Sequence, residues 1–252
     1  MSFNMDNHNT GVIILAAGRG KRMHSTTDNK VVSILHNKPM VGHIVEFMEK
    51  IEIGQIIVVV GFAKESVMNA LKGHVVSYVE QTEQLGTGHG VEVAIGSLHP
   101  DISDVIVVYG DDAVLYNGKN SEVVEDLIRK HQDSKSAITF LSIEQDNPIG
   151  LGRIVRNEMD EVIGIVEEKN ATESEREIKE INPGCFIFSV DFLNKYIKEI
   201  KKNELTGEFY LTDLVDIART NRQLVNTVRG GKLLWRGVNT PEELIQAEKL
   251  LS

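Results

Sequence analysis

A short apolar run followed by a glycine-rich basic segment, residues 12–23, constrains this chain more than any other stretch. The run from Val12 to Leu15 is rich in β-branched residues, which is typical of a buried strand. Residues 16–20 read Ala-Ala-Gly-Arg-Gly. Small residues let the backbone pass close to a ligand, and its N–H groups can then face phosphate oxygens. The cations Lys21 and Arg22 can neutralise phosphate charge. The segment therefore predicts a strand that ends in a polyphosphate-binding loop.

Two common glycine motifs do not fit this loop. The P-loop needs four residues between its glycines, but only Arg19 separates Gly18 from Gly20, and Arg22 stands where a Ser or Thr is required. The dinucleotide fingerprint needs a third glycine where Met23 stands. On this stretch alone, a phosphate loop and a plain strand-to-helix turn with solvated basic residues both remain open.

The composition limits the classes of partner. The 252 residues fit one large α/β domain or two small ones, and the formal net charge of −10 argues against broad binding of nucleic acid or anionic membranes. Cys185 is the single cysteine, so an internal disulfide is excluded. The polar residues 1–10 lack the apolar core of a signal peptide, and no apolar run approaches the ~20 residues of a membrane span. We expect a soluble cytoplasmic protein without nucleic-acid or membrane partners.

The hydrophobic pattern changes near residue 117. Before it, predicted strands over residues 12–16, 56–60, 75–79 and 105–109 alternate with helices, which indicates βαβ units and a parallel sheet. After it, shorter alternating segments predict a β-rich region, including a single strand over residues 181–190. Near the end of the chain, Thr240-Pro241-Glu242-Glu243 predicts a helix start, with Thr240 as N-cap and Glu243 completing a capping box. The predicted class is α/β with a mostly parallel central sheet.

Three polar segments follow predicted parallel strands, at residues 16–22, 80–88 and 110–111. Carboxyl ends of parallel strands meet at one edge of a sheet, so these segments should converge on one cleft. Gln81 and Gln84 offer amides suited to the polar edge of a uracil or thymine, although a polar loop capped by Thr87 is the simpler alternative.

Asp111 ends the fourth predicted strand. Mg²⁺ prefers one or two protein oxygens together with substrate phosphates, so this carboxylate is a candidate ligand. The alternative is a turn aspartate that bonds its own backbone. The neighbouring Asp112 stays open, because adjacent side chains need not point the same way.

The order of the sequence blocks resembles one known family. The blocks are LAAGRGKRM, the lysine at position 30, QTEQLGTGH, YGD, GLGRIVR, IVEEKNAT, EIN, GEFYLTD and GVN, and they run from Leu15 to Asn239. This arrangement is similar to the bacterial N-acetylglucosamine-1-phosphate uridyltransferases, a branch of the nucleotidyltransferases that make nucleoside-diphosphate sugars.

The resemblance implies a Rossmann-like nucleotidyltransferase fold whose mostly parallel central sheet carries an added sugar-binding, β-rich part. We expect a flexible tail over residues 1–10 and one domain over 11–252. Residues 11–117 would form its nucleotide-binding half and residues 118–252 its sugar-binding half.

The resemblance also implies roles for individual residues. Contacts to uridine are implied for Ala16, Ala17, Gly18, Gln81 and Gly86. Further substrate contacts from the same loops and strand ends are implied for Leu15, Gln84, Thr87, Tyr109 and Gly110. The implied sugar contacts are Gly152, Glu167, Asn182 and Thr212, with Lys169 near the sugar phosphate. Arg22 and Lys30 would be the catalytic cations on the UTP phosphates, and Asp111 and Asn239 would hold Mg²⁺.

The expected reaction joins UTP and N-acetylglucosamine 1-phosphate into UDP-N-acetylglucosamine and pyrophosphate. The same chemistry on another nucleotide and sugar phosphate, or on phosphocholine, is the close alternative, and a catalytically silent binding module is the distant one. The family's acetyltransferase domain is missing from the sequence, so acetylation is not expected.

Three positions depart from the family pattern. Asp28-Asn29 stands where Leu-Pro is usual, Asp112-Ala113 where Val-Pro is common, and Pro183 where Thr is common. The first touches the phosphate side, and the other two bear on metal or sugar geometry.

Overall fold

The main element of the fold is a ten-stranded sheet. The computed structural model describes residues 7–23, 27–116, 120–233 and 235–251. The strands are β1 (Thr10–Ala16), β2 (Ile34–Leu35), β3 (Lys38–Pro39), β4 (Gln55–Val60), β5 (Ser77–Glu80), β6 (Asp104–Tyr109), β7 (Ile138–Glu144), β8 (Gly152–Arg156), β9 (Val162–Val166), β10 (Glu180–Asn182), β11 (Phe186–Ser189) and β12 (Val225–Arg229). The helices are α1 (Met40–Lys50), α2 (Lys64–Ala70), α3 (Thr87–Ile95), α4 (Ser121–Ser134), α5 (Glu173–Arg176), α6 (Val190–Tyr196), α7 (Asp213–Thr220) and α8 (Pro241–Leu251). Strands β2 and β3 form a separate hairpin.

The strand order is β5-β4-β1-β6-β11-β7-β10-β8-β9, with β12 paired to β7. Strands β5, β4, β1 and β6 are parallel neighbours, whereas β11 runs antiparallel between β6 and β7. Strands β8, β9 and β10 form an antiparallel extension. The predicted class is confirmed: a parallel α/β sheet carries an added β-rich part.

Strand β1 lies in the centre because its side chains are apolar on both faces. Val12 and Ile14 pack into a core that also contains Ile44 of α1, while Ile13 faces the opposite core, which contains Val91 of α3. A strand covered by helices on both faces needs this continuous apolar run rather than an alternating one. The carboxyl end of β1 is thereby held at the middle of the sheet edge.

The single strand predicted over residues 181–190 is wrong. The chain forms β10 and β11 instead, separated at Pro183 and Gly184. Proline cannot donate to a sheet ladder, and Gly184 has a φ of 92°, which breaks the extended conformation. Because of this break, β10 joins the antiparallel extension while β11 enters the central sheet.

The predicted tail extends too far into the chain. Residues 1–6 lie outside the described residues, but Asn7 is buried, its Nδ2 donates to the Ile51 carbonyl at 2.8 Å, and Thr10 already belongs to β1. The predicted boundary between the two halves, at residues 117 and 118, also lies outside the described part of the chain. Across that gap, β11 from the second half pairs with β6 from the first.

Helix α8 begins as its sequence predicts. The Glu243 N–H donates to the Thr240 hydroxyl at 3.2 Å, and the Glu243 carboxylate accepts from the Thr240 N–H at 3.1 Å, which is a capping box. None of the helices that the structure describes has both the length and the apolar character needed to cross a membrane.

Candidate active site

A cleft of about 730 Å³ opens at the carboxyl ends of the central parallel strands. Its floor is the end of β1 and the loop that follows, and its walls come from the ends of β5 and β6, from the segment before β8, and from residues 235–243. The convergence predicted from strand order is therefore present. The predicted site residues that line the cleft are Leu15, Ala16, Ala17, Gly18, Arg22, Lys30, Gln81, Gln84, Gly86, Thr87, Tyr109, Asp111, Gly152, Glu167, Asn182 and Asn239.

Three predicted site residues do not line this cleft. Gly110 is buried, and its N–H donates to the Leu15 carbonyl at 3.0 Å. Lys169 is exposed on the turn after β9. Thr212 is buried and lines a smaller neighbouring pocket, where its hydroxyl donates to Glu167 Oε1 at 2.9 Å. Gly110 and Thr212 thus support residues that line the cleft, whereas Lys169 is exposed outside the cleft lining.

The predicted phosphate loop, residues 16–22, needs its glycine at position 20. Gly20 has a φ of +55°, and a Cβ there would lie 2.8 Å from the Cβ of Lys30. The loop therefore packs closely against the segment that carries Lys30. Arg19 also lines the cleft, which the sequence did not predict. Its guanidinium lies 5.0 Å from the centre of the Phe62 ring.

The segment around Phe209, which is distant in sequence, holds the predicted base-recognition loop in place. Gly86 has a φ of +105°, and a Cβ there would lie 2.6 Å from the Phe209 carbonyl oxygen. Backbone hydrogen bonds join Phe209 to Leu85 and Gly88, each at 2.8 Å. Gln81 donates through Nε2 to the Gly86 carbonyl at 3.0 Å. The Gln81 amide therefore shapes this loop as well as lining the cleft.

Lys30 joins the two residues that the resemblance implies as metal ligands. Its Nζ donates to the Asp111 carboxylate and, at 2.7 Å, to Asn239 Oδ1. The Lys30 and Asp111 side chains are 15% and 13% exposed, so the pair is partly shielded from water. Two oxygens from residues 128 positions apart thus converge on one cation, which is an arrangement that favours a bound positive charge.

Asp112 is a buried carboxylate beside this group. Its Oδ1 accepts a hydrogen bond from the Trp235 indole at 2.9 Å, while Oδ2 has no hydrogen-bond partner among the residues that the structure describes. Burial, and then the neighbouring Asp111, raise the pKa of Asp112 well above its usual value. The sequence analysis left Asp112 open, and no local pattern linked it to Trp235. The hydrogen bond between the buried Asp112 carboxylate and the buried Trp235 indole could be predicted only by knowing that the two side chains are neighbours in the fold.

Glu167 and Asn182 line the side of the cleft that is predicted to bind the sugar. Burial raises the pKa of Glu167, and the Thr212 hydrogen bond opposes this shift. Asn182 Oδ1 accepts the Gly184 N–H at 2.9 Å, which fixes the amide at the cleft wall. A Cβ at Gly152 would approach Ile165 to 3.1 Å, with the Glu167 carboxylate just beyond, so this glycine leaves room beside that acid.

A carboxylate on α8 orients Asn239. Glu243 Oε2 accepts the Asn239 N–H at 2.7 Å, and Oε1 accepts from Arg236 Nη2 at 2.7 Å. The sequence predicted Glu243 only as a helix cap. Both Arg236 and Glu243 also line the cleft, a role that no local pattern indicated.

The site and the fold define a nucleotide-transferring enzyme, and the chain belongs to the nucleotidyl transferase family, whose model matches residues 11–252. Among curated relatives, the bifunctional protein GlmU of Caldicellulosiruptor saccharolyticus is 38% identical over 241 residues, or 95% of this chain and 51% of the relative. GlmU of Psychrobacter sp. is 36% identical over 244 residues, or 96% of this chain and 52% of the relative. The chain therefore spans about half the length of the curated relatives it matches, and the kinship predicted from the sequence blocks is confirmed.

Solved structures agree on the fold. A UDP-glucose pyrophosphorylase complexed with UDP-glucose superposes with a TM-score of 0.78 at 18% identity, covering 95% of this chain and 97% of that one. A structure assigned as a glucose-1-phosphate thymidylyltransferase from Bacillus anthracis, in complex with sucrose, superposes with a TM-score of 0.77 at 20% identity, covering 96% and 95%.

Proposed function

We propose that this nucleotidyltransferase joins UTP and N-acetylglucosamine 1-phosphate to give UDP-N-acetylglucosamine and pyrophosphate. The observation that carries the proposal is the convergence of Lys30, Asp111 and Asn239 beside the glycine-rich loop. A triphosphate bound on that loop would then lie near one cation and two oxygen atoms that could hold a metal. The 36–38% identity with GlmU supports the choice of substrates.

The cleft suits two small substrates held side by side. Its volume of about 730 Å³ lies within the ~300–1,000 Å³ of typical ligand sites. The loops after β1 and β5 would take the nucleotide, and Glu167 with Asn182 would take sugar hydroxyls, because carboxylates and amides are suitable hydrogen-bonding partners.

The chemistry needs no protein nucleophile. An oxygen of the sugar phosphate is already an anion and attacks the α-phosphorus of UTP, and the bond to pyrophosphate breaks. The protein aligns the two substrates and neutralises charge that builds on the leaving group. Arg22 is exposed at the cleft and Lys30 lies at its floor, so these two cations would face the departing phosphates.

The residues present fit a magnesium ion. Among the described residues no group of three or more His, Cys, Asp or Glu side chains is placed to hold a metal. Asp111 and Asn239 supply one carboxylate and one amide oxygen, which matches the preference of Mg²⁺ for few protein ligands plus substrate oxygens. When bound, Mg²⁺ would neutralise phosphate charge and polarise the reacting group.

The choice of sugar phosphate depends on the positions at which this sequence departs from the family pattern. Pro183 lines the cleft beside Asn182 where the similar family commonly has Thr, so a different sugar phosphate is the main alternative. The predicted cytoplasmic location, and the expected absence of nucleic-acid and membrane partners, stay predictions.

Pyrophosphate release tests the proposal. Purified protein is mixed with Mg²⁺, each common nucleoside triphosphate, and either one of a panel of sugar 1-phosphates or the alcohol phosphate phosphocholine. We expect release with UTP and N-acetylglucosamine 1-phosphate. Release only with another pair reassigns the substrates, and no release from folded protein with any pair supports the silent binding module.

Two variants test the assigned residues in the same assay. A unit charge about 4 Å from the developing negative charge, at an effective dielectric constant of about 20, contributes about 4 kcal/mol. Lys30→Ala should therefore lower turnover by about a hundredfold to a thousandfold, and Asp111→Ala should also lower it strongly. Asp101→Ala, an exposed acid just before β6 at the opposite end of the sheet, is the matched control and should leave turnover unchanged.

A further inference from the structure

Asn29, which no sequence pattern assigned to the site, lies directly behind the phosphate loop. We propose that Asn29 is a positioning residue that orients the backbone N–H groups of Ala17 and Arg19, together with the Lys30 side chain, toward the triphosphate. The inference rests on the proposed function. It concerns a residue that would touch neither substrate, because Asn29 is absent from the cleft lining while both segments it holds are present there.

The Asn29 amide joins three chain segments. The side chain is buried, with the residue 1% exposed. Its Nδ2 donates to the carbonyls of Ala16 at 2.8 Å, Gly18 at 3.2 Å and Phe62 at 2.9 Å. The first two carbonyls belong to the end of β1 and the phosphate loop, and the third follows β4. One amide thus ties the loop to the neighbouring strand.

The same residue also holds the turn that carries Lys30. Asn29 Oδ1 accepts the Val31 N–H at 3.1 Å and so caps the 3₁₀ turn of residues 30–32. The Asn29 N–H donates to the Ser66 hydroxyl at 3.0 Å, which anchors the turn to α2. A change at position 29 would therefore move Lys30 and the loop together.

The direction of these bonds determines what the loop presents to a ligand. In a trans peptide the C=O and N–H groups point in opposite directions. The carbonyls of Ala16 and Gly18 point back at Asn29, so the N–H groups of Ala17 and Arg19 point the other way, toward the cleft that both residues line. Backbone N–H groups fixed in this way form an anion-binding surface that needs no reorganisation when phosphate arrives.

The backbone at position 29 separates the role of the side chain from that of the fold. Asn29 has φ −70° and ψ 143°, which lies within the range that proline adopts. The similar family usually has proline at this position. Asn29→Pro should thus keep the backbone angles while removing both the side-chain amide and the N–H that donates to Ser66. Asn29→Ala removes the side-chain amide alone, and Asn29→Asp keeps the shape but replaces the donor with a negative charge facing three carbonyls.

The test compares Asn29→Ala, Asn29→Pro and Asn29→Asp with Asn7→Ala as the matched control. Asn7 is also a buried asparagine, whose Nδ2 donates to a backbone carbonyl, but it lies before the opposite end of β1. Steady-state kinetics give kcat and the KM for each substrate, titration calorimetry gives the affinity for UTP with Mg²⁺, and thermal unfolding reports the fold.

We expect each Asn29 variant to weaken UTP binding and raise the KM for UTP by about tenfold or more, because small displacements of a positioning group have effects of this size. The kcat should fall by about tenfold, and the KM for the sugar phosphate should stay within about twofold. Among the three Asn29 variants, Asn29→Asp should show the largest loss of UTP affinity. Asn7→Ala should unfold at a lower temperature with unchanged kinetic constants.

Wild-type kcat, KM and UTP affinity in folded Asn29→Ala or Asn29→Pro would overturn the inference, as would a loss confined to thermal stability, as in Asn7→Ala. If the wild-type protein binds UTP but shows no turnover, the proposed function fails. The calorimetric comparison still decides the role of Asn29 in that case.

Discussion

Lys30 occupies the oxygens that a divalent cation would use, so removing it should make metal binding tighter even as catalysis fails. The ammonium donates to the Asp111 carboxylate and to Asn239 Oδ1. A metal ion that binds the protein alone must displace this ammonium. Lys30→Ala abolishes the competition and leaves the carboxylate without a cation.

The size of the effect follows from the contacts that are broken. A hydrogen bond to a charged group contributes about 1.5–3 kcal/mol, and the ammonium makes one bond to a carboxylate and one at 2.7 Å to an amide oxygen, both partly shielded from water. Every 1.4 kcal/mol is about tenfold in affinity. Lys30→Ala should therefore bind metal about tenfold to a hundredfold more tightly than the wild type.

Electron paramagnetic resonance of Mn²⁺, titrated into protein without nucleotide, measures this affinity directly. Lys232→Ala is the matched control, because it removes the same charge from an exposed lysine that contacts only Asp146 among the hydrogen bonds described, at 3.3 Å. Its Mn²⁺ affinity should equal that of the wild type. Asp111→Asn should weaken Mn²⁺ binding when it is made in the wild type and when it is made in Lys30→Ala.

Equal or weaker Mn²⁺ binding by Lys30→Ala than by Lys232→Ala would refute the reasoning. It would mean that the metal does not use the oxygens held by Lys30, and the assignment of Asp111 and Asn239 would fail with it. A rise of equal size in both variants would point to net charge instead of the site.

Three further predictions concern the sugar side, the base loop and pH. Glu167→Gln should raise the KM for the sugar phosphate by about tenfold and leave the KM for UTP unchanged, because an amide replaces the carboxylate that accepts from Thr212 and faces the cleft; equal changes in both constants would contradict this. Gly86→Ala should lower the free energy of unfolding in urea by about 2–4 kcal/mol, since φ is +105° and the new Cβ would lie 2.6 Å from the Phe209 carbonyl; an unchanged midpoint would show that the loop can shift. Burial and Asp216 raise the pKa of Asp213 to about 6. The folded chain then holds that proton more tightly than the unfolded chain, so this group's contribution falls as pH rises from about 4 to above 6. Asp213→Asn should therefore gain about 1–2 kcal/mol relative to the wild type between pH 4.5 and pH 7.5, after allowing for partial exposure, and a constant difference would rule out this titration.

Local patterns were sufficient where the physics is local. The run from Val12 to Leu15 indicated a buried strand because β-branched apolar residues favour one, and the structure has β1 there. Thr240 and Glu243 indicated the start of α8 because a capping box needs only residues three apart. The convergence of strand ends on one cleft was also predictable, because parallel strands place their carboxyl ends together.

Other features depended on contacts between distant residues. The insertion of β11 between β6 and β7 could not be inferred from its sequence, since an apolar strand can pair with any neighbour of similar pattern. The β2–β3 hairpin was also missed. Its turn places His36 and Asn37 at positive φ, which the pattern of Ile34 to Pro39 does not signal strongly.

The sequence by itself determined the class of the fold, the first buried strand and the strand-end segments that converge on the cleft, because periodicity, β-propensity and strand-end position are properties of neighbouring residues. Individual site residues such as Glu167, Asn182 and Asn239 were implied only by the resemblance to a known family. Only the tertiary structure decided how those residues are held. The pairing of Asp112 with Trp235, of Lys30 with Asn239, and of Asn29 with three carbonyls each joins chain segments that are adjacent only after folding. Burial and hydrogen-bond direction determine the charge and the orientation of the side chains in the site, and both are therefore properties of the folded chain.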